Sequence, residues 1–192
     1  MLTIALPKGR IADETLDRFE KAFNEKFVFE DRKLILEKSG FKFLNVRNQD
    51  VPTYVMHGAA DLGVVGLDVL EEKEYDLIKL LDLKLGRCKV AFGLRAGEKL
   101  NFDKSKITIA TKHEKIAKKY FEQKAMAVEI IKLYGSIELA PLVGLCDCIV
   151  DIVETGETMK QNGLEVGPTI METTAHLIAN KNSFYAKKDL IF

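Results

Sequence analysis

Leu145-Cys146-Asp147-Cys148-Ile149-Val150-Asp151-Ile152-Val153-Glu154-Thr155-Gly156-Glu157-Thr158-Met159 decides how this chain folds. The apolar run from Cys148 to Val153 is interrupted only by Asp151 and has no alternating polar face, the pattern of a strand buried on both sides. Glu154, Thr155 and Gly156 mark a turn, and from about Glu157 the residues favour a helix that Gly163 stops. A strand therefore feeds a tight turn that opens a helix. The first backbone N–H groups of such a helix lack internal partners and point together at whatever lies ahead, which suits a phosphate. Gly156 permits close approach, the hydroxyls of Thr155 and Thr158 can donate, and Asp151 and Glu154 can accept from sugar hydroxyls or from a metal's water shell. The motif suggests a ribose 5-phosphate held at its two ends; a buried strand before an ordinary capped helix accounts for the same residues equally well.

Working outward, the same junction recurs. Leu2–Leu6 reads as a short strand, Pro7-Lys8-Gly9-Arg10 as a turn, and Ile11–Phe23 as a helix with Ile11, Thr15, Leu16, Phe19 and Phe23 on one face. Lys8 and Arg10 suit a phosphate or pyrophosphate, although an isolated Lys-Gly-Arg is more commonly a solvated turn. Phe27–Phe29 and Asp31–Leu36 are two short strands or a strand and a turn, and Phe41–Arg47 alternates as a strand. Pro52 opens a short helix to Ala60, Leu62–Gly66 is a buried strand before a helix at Leu67, and Tyr75–Leu83 is a strand or a loop pair. Cys88–Leu94 is a strand, and Ile107–Ala110 is another that leads through Thr111-Lys112-His113 into a helix over Glu114–Gln123. Val128–Leu133 is a strand ending in Tyr134-Gly135-Ser136, followed by a helix over Glu138–Gly144. After Gly163, the segment Glu165–Ile170 carries Gly167-Pro168 and has no assigned element, and Thr174–Ala179 is a final strand. The alternation predicts an α/β fold with mainly parallel sheet, helices on both faces and binding at the carboxyl ends of strands. Five strand ends carry Gly, Thr, Ser, Lys or Arg just before a helix, which suggests two sheets whose helix starts converge on one anionic ligand.

Composition narrows the function classes. At 192 residues the chain has room for one or two domains, burying roughly 70% of the unfolded surface. Lys+Arg and Asp+Glu are both 29, so the formal net charge is +0 and no global field draws nucleic acid or anionic membrane; any basic site must be local. The amino-terminal apolar run is too short for a signal peptide, and no stretch reaches spanning length, so a cytoplasmic location is expected. Cys88, Cys146 and Cys148 are few, odd in number and lack zinc-ligand spacing, consistent with reduced core thiols. His57, His113 and His176 have contexts that favour surface or structural roles, and Tyr54, Tyr75 and Tyr134 read as packing residues, with Tyr134 also close enough to Gly135 to line a cleft.

Several segments together carry a family resemblance: Leu6–Arg10, Asp31–Leu34, Arg47–Pro52, Ala60–Gly66, Gly86–Cys88, Ile109–Lys112, Gly135–Pro141 with Gly144-Leu145, and the opening stretch through Thr158. In order and over essentially the whole chain, they resemble the short form of the ATP phosphoribosyltransferase family, which opens histidine biosynthesis. The resemblance implies two α/β domains like those of type II periplasmic binding proteins, with the active site in the cleft between them. Residues 1–87 and 171–192 would form the first domain and residues 88–170 the second. The long form adds a regulatory domain, and this chain stops before it. A short-form subunit is expected to dimerise within a hetero-oligomer containing a regulatory subunit similar to histidyl-tRNA synthetase, without nucleic acid or membrane as a partner.

The family reaction joins ATP and phosphoribosyl pyrophosphate (PRPP): N1 of the adenine displaces pyrophosphate from ribose C1, giving N1-(5-phosphoribosyl)-ATP. The attacking nitrogen already holds a lone pair, so the site has chiefly to orient two anionic substrates and stabilise the leaving group. Mg2+ would be held largely by substrate oxygens and water, with no protein metal site. The resemblance assigns Thr155, Gly156, Glu157 and Thr158 to the 5-phosphate and Asp151 with Glu154 to the ribose hydroxyls. Lys8, Arg10 and Arg32 fall to the pyrophosphate and ATP phosphates, and Arg32 is able to reach across a dimer into the neighbouring site. Glu138, Arg47 and Asp50 fall to the nucleotide, with bracing of the first domain the alternative for the last two. Two rival readings remain: a solute-binding or ligand-sensing module of the same fold, and a phosphoribosyltransferase for another base.

Overall fold

The computed structural model describes residues 1–191. The chain opens with β1 (Leu2–Pro7), α1 (Arg10–Phe23), β2 (Ile35–Lys38) and β3 (Phe41–Val46). It continues through α2 (Val51–Met56), β4 (Leu62–Gly66), α3 (Leu67–Lys73) and β5 (Ile78–Asp82). Next come β6 (Cys88–Arg95), β7 (Ile107–Thr111), α4 (Glu114–Glu122), β8 (Val128–Lys132) and α5 (Leu139–Leu142). The remaining elements are β9 (Cys148–Val153), α6 (Glu157–Gln161), β10 (Leu164–Thr173), β11 (Ala175–Ala179), α7 (Lys181–Ala186) and α8 (Lys188–Ile191). None of these helices is long and apolar enough to cross a membrane.

The chain divides into two compact units, one comprising Met1–Gly86 with the chain from Thr174 onward, the other Arg87–Thr173. The first is built on a sheet of order β2-β3-β1-β4-β11-β5. Strands β3, β1 and β4 run parallel, while β2 and β11 oppose them. Both faces are buried: Ile4, Leu6, Leu62 and Val64 join one core cluster, and Ala5 and Val65 join another. This burial explains why β1 and β4 read as unbroken apolar runs. Helix α1 buries Ala12, Thr15 and Leu16 and ends where Asn24 turns left-handed (φ 51°). Phe27, expected in a strand, instead lies in irregular chain and is buried beneath Phe19 and Phe43, at ring separations of 5.9 and 5.6 Å. Aromatic packing against neighbouring elements outweighed the local β preference there.

The second unit has the sheet order β10-β6-β9-β7-β8. Strands β7, β8 and β9 are parallel and β6 opposes β9. Alternate β9 residues again serve two faces, with Cys148 and Val150 in one cluster and Ile149 and Val153 in the other. The thiols of Cys146, just before β9, and of Cys148, its first residue, are buried, and desolvation pushes that of Cys148 up to about 12.

One segment without an assigned element is filled in here and one expectation is corrected. The segment around Gly167-Pro168 lies inside the ten-residue strand β10, which pairs antiparallel with β6 and shifts register between Val166 and Thr169 and again before Met171. A proline is tolerated there because β10 is an edge strand with a local irregularity. That pairing carries the second unit to Thr173, opposite Cys88. The helix expected over Glu138–Gly144 is only Leu139–Leu142. It closes where Gly144 N donates to Pro141 O and Leu145 N to Ala140 O, the paired bonds of a Schellman ending.

At the amino-terminal end of β4, the end of the described chain is tied down by Asp61. Its carboxylate accepts from Thr3 N (2.9 Å), Ser183 Oγ (2.7 Å) and Lys187 Nζ (2.8 Å to each oxygen).

Candidate active site

In the first unit, the sequence-predicted cations gather at one edge of the sheet. Lys8 follows β1 and its N–H donates to Val46 O at 2.8 Å, which ties it to the end of β3; Arg47 is the next residue after Val46. Arg10 starts α1, with Nε 3.7 Å from the Glu14 carboxylate. Arg32 reaches the same edge by another route. Because β2 opposes β3, with Ile35 against Leu44 and Leu34 O accepting from Asn45 N, the chain just before β2 lies beyond the carboxyl end of β3. Arg32 there adopts a left-handed backbone (φ 56°) in the turn closed by Lys33 N on Glu30 O. Arg47 O accepts from Asp50 N (2.8 Å) and Val51 N (3.2 Å), which sets Asp50 immediately before α2. Lys8, Arg10, Arg32, Arg47 and Asp50 are all exposed, and Lys8, Arg32 and Arg47 make no ion pair among the described residues. Exposed cations at strand ends, free of internal neutralisation, suit a polyanionic ligand.

In the second unit, Glu138, Asp151 and residues 154–158 lie at the carboxyl edge of β7, β8 and β9. The strand, turn and helix read from the sequence are present as β9, residues 154–156 and α6. Gly156 is left-handed (φ 83°), and a Cβ there would stand 2.8 Å from Val166 Cγ2, so both backbone and space demand glycine. Thr155 Oγ1 accepts from Glu157 N at 3.3 Å, so the turn closes on its own helix. Glu157 does not turn its carboxylate into the loop; it accepts from Gln161 Nε2 at 3.1 Å one helical turn on. Glu154, Thr155 and Thr158 are exposed. Glu138 is half-buried just before α5, on the chain that leaves β8.

Asp151 behaves differently from the loop. It sits within β9 opposite Ala91, and its Oδ1 lies 3.1 Å from Lys112 Nζ and 3.8 Å from His113 Nε2. Lys112 and His113 come from the β7–α4 junction, and Thr111 beside them donates its hydroxyl to Val150 O at 2.6 Å. Sequence reasoning had marked the Thr111-Lys112 junction but left Lys112 out of the site; its position at a strand end before a helix was the available signal. His113 is buried (3% exposed), in keeping with a structural role. Tyr134 is corrected: it is no packing residue, at 84% exposed, and Lys132 Nζ stands 5.7 Å from its ring centroid.

All five glycine-, hydroxyl- or cation-bearing junctions thus fall at carboxyl ends of parallel strands, two in the first unit and three in the second.

Comparison with known proteins agrees with this arrangement. Residues 47–192 match the profile of the family described as HisG: ATP phosphoribosyltransferase. A protein of Wolinella succinogenes named ATP phosphoribosyltransferase is 69% identical over 191 residues, covering 100% of this chain and 93% of its own length. Among solved structures, the ATP phosphoribosyl transferase (HisG:HisZ) complex from Thermotoga maritima has a chain 37% identical with a TM-score of 0.82, covering 100% of this chain and 93% of that one. The periplasmic aliphatic sulphonate binding protein SsuA from Escherichia coli shares the fold at a TM-score of 0.63 and 14% identity, over 97% of this chain and 63% of that one. The two-domain α/β architecture is therefore that of the type II periplasmic binding proteins, and the chain belongs to the ATP phosphoribosyltransferase family.

Proposed function

We propose that this chain is the catalytic subunit that transfers the phosphoribosyl group of PRPP to N1 of ATP, releasing pyrophosphate, in the first step of histidine biosynthesis. The observation that carries the reading is the turn from Glu154 to Thr158 at the end of β9, next to Asp151, within a chain of this family. The turn takes the 5-phosphate on backbone N–H groups and on the hydroxyls of Thr155 and Thr158. Glu157 serves through its backbone, since its carboxylate faces Gln161. Asp151 and Glu154 accept from the ribose hydroxyls. Lys8, Arg10 and Arg32 neutralise the pyrophosphate and the ATP phosphates, and Arg47, Asp50 and Glu138 line the nucleotide. No protein nucleophile is required: the adenine lone pair forms the new C–N bond as the C1–O bond to pyrophosphate breaks. The chain's contribution is to align the two partners and to meet the negative charge growing on the leaving group.

Among the described residues no three His, Cys, Asp or Glu side chains gather as a metal cage, and the inner oxygen of Asp151 faces Lys112. The donor set fits a Mg2+ ion that arrives on the substrate's pyrophosphate oxygens, with the exposed Glu154 able to accept from its water shell. When bound, the ion supplies further neutralisation of the departing pyrophosphate.

The Thermotoga maritima relative was solved as a HisG:HisZ complex. The corresponding assembly here is a dimer of catalytic subunits joined to a regulatory subunit similar to histidyl-tRNA synthetase. The test is to mix the full chain with ATP, PRPP and Mg2+, with and without that subunit, and to follow the absorbance of the phosphoribosyl adduct. Product formation is expected; no product even with the regulatory subunit present would end the reading.

A further inference from the structure

The carboxylate of Asp151 has two unlike oxygens. Oδ1 is fully buried and takes no hydrogen bond of good geometry. Beside it lie the Lys112 ammonium at 3.1 Å and, farther off, Nε2 of the His113 ring at 3.8 Å. The side chain as a whole keeps 18% exposure, so what Asp151 offers to solvent belongs to the rest of the group and not to Oδ1. A buried carboxylate oxygen is costly unless an opposite charge meets it, so Lys112 decides which way the carboxylate turns.

Lys112 is held firmly enough to do this. The hydroxyl of Thr111 donates to Val150 O (2.6 Å) and accepts from His113 N (2.9 Å). The residues on either side of Lys112 are thereby pinned to β9, the strand that carries Asp151, one residue beyond the Thr111–Val150 pairing. The lysine stem is 30% exposed and spans a short, fixed gap.

We propose that Lys112 is a positioning residue for phosphoribosyl transfer: it draws Oδ1 of Asp151 inward and so presents the carboxylate's outer side to the ribose hydroxyls. The proposal rests on the assignment of Asp151 to the ribose made above. It treats the lysine as acting through Asp151, not on either substrate.

The test uses the full chain, steady-state kinetics with PRPP and ATP, and calorimetric binding of inorganic pyrophosphate. Replacing Lys112 by methionine should raise KM for PRPP about ten-fold, as expected for a lost charge-assisted contact, with KM for ATP and pyrophosphate binding unchanged. Lys112→Arg, which keeps the charge, should restore most of the loss. In an Asp151→Asn background, Lys112→Met should add nothing further, since residues acting as one unit are not additive. A raised KM in Asp151→Asn but not in Lys112→Met would overturn the positioning role and leave the ribose assignment standing. An unchanged KM in Asp151→Asn would remove the ribose assignment and the proposal with it. Additive penalties, or weakened pyrophosphate binding in Lys112→Met, would mean that the lysine touches substrate itself. Lys112→Gln serves if the methionine variant does not fold. Failure of both to fold, with Asp151→Asn folded, would assign the pair to stability and refute the proposal.

Discussion

Replacing Gly156 by alanine should damage the phosphate turn in two separable ways. The residue sits at φ 83°, where an L side chain costs about 1 kcal/mol relative to glycine, partly offset by the smaller entropy of the unfolded alanine chain. The new Cβ would also meet Val166 Cγ2 at 2.8 Å, well inside ordinary carbon contact, and relieving such overpacking costs about 1–3 kcal/mol. Together these give a loss of about 1–4 kcal/mol in folding stability. Gly163→Ala is the control: that residue is also left-handed (φ 72°), but its Cβ would meet nothing within 4 Å, so only the backbone cost of about 1 kcal/mol remains. Relief of the Val166 contact also moves the turn, and a displacement of about 1 Å at a positioning group can cost up to about 100-fold in rate. Denaturant unfolding of both variants, with KM for PRPP and ATP measured separately, tests the reasoning. Gly156→Ala should be less stable than Gly163→Ala and should lose PRPP affinity selectively. Equal stability of the two variants with an unchanged KM for PRPP would refute it.

Two further outcomes follow from the same structure. Arg32→Ala should lower kcat at saturating substrates by at least about ten-fold while shifting stability by no more than about 0.5 kcal/mol, because Arg32 is exposed; unchanged turnover would remove Arg32 from the mechanism. At Asp61, burial alone would raise the carboxyl pKa, but hydrogen bonds from Lys187, the Thr3 N–H and Ser183 outweigh it and hold the group below the usual carboxylate range. A lowered folded pKa means the stabilisation is complete above about 3.9, the ordinary aspartate value, and is lost as pH falls through the lower folded one. Asp61→Asn should therefore be less stable than the parent by about 2–3 kcal/mol at neutral pH, and denaturant titrations below pH 4 should find that gap closing. A gap independent of pH would contradict this account of Asp61.

Much of the fold was legible because local pattern and tertiary demand agreed. The runs at β1, β4 and β9 are apolar on both faces, since each serves two cores, and their carboxyl ends carry the glycines, hydroxyls and cations that a strand-to-helix turn uses. Where the two disagreed, the sequence misled. Gly167-Pro168 has the chemistry of a turn, yet an edge strand with a shifted register absorbs it. Phe27 looks like part of a strand, yet it is drawn into an aromatic cluster. At the candidate site, residues adjoining strand ends could be named from position alone. The Lys112–Asp151 contact could not, because it joins the residue after β7 to a residue of β9, and the adjacency of those strands depends on sheet order. The direction of the Glu157 side chain, which accepts from Gln161 one turn along α6, was likewise not legible from position.

The insertion of β11 between β4 and β5 sets the order in which the molecule can be completed on the ribosome. In that sheet β5 finds its strand partner only in β11, and the Asp82–Thr174 contact beside them spans 92 positions in sequence. The nascent polypeptide must therefore emerge through β11 before the amino-terminal sheet can close, whereas the contiguous segment from Arg87 to Thr173 has all its strands earlier. The usual vectorial sequence, first part made and first part finished, is inverted here. Until β11 has been made, β4 presents an open edge that a neighbouring nascent chain could pair with.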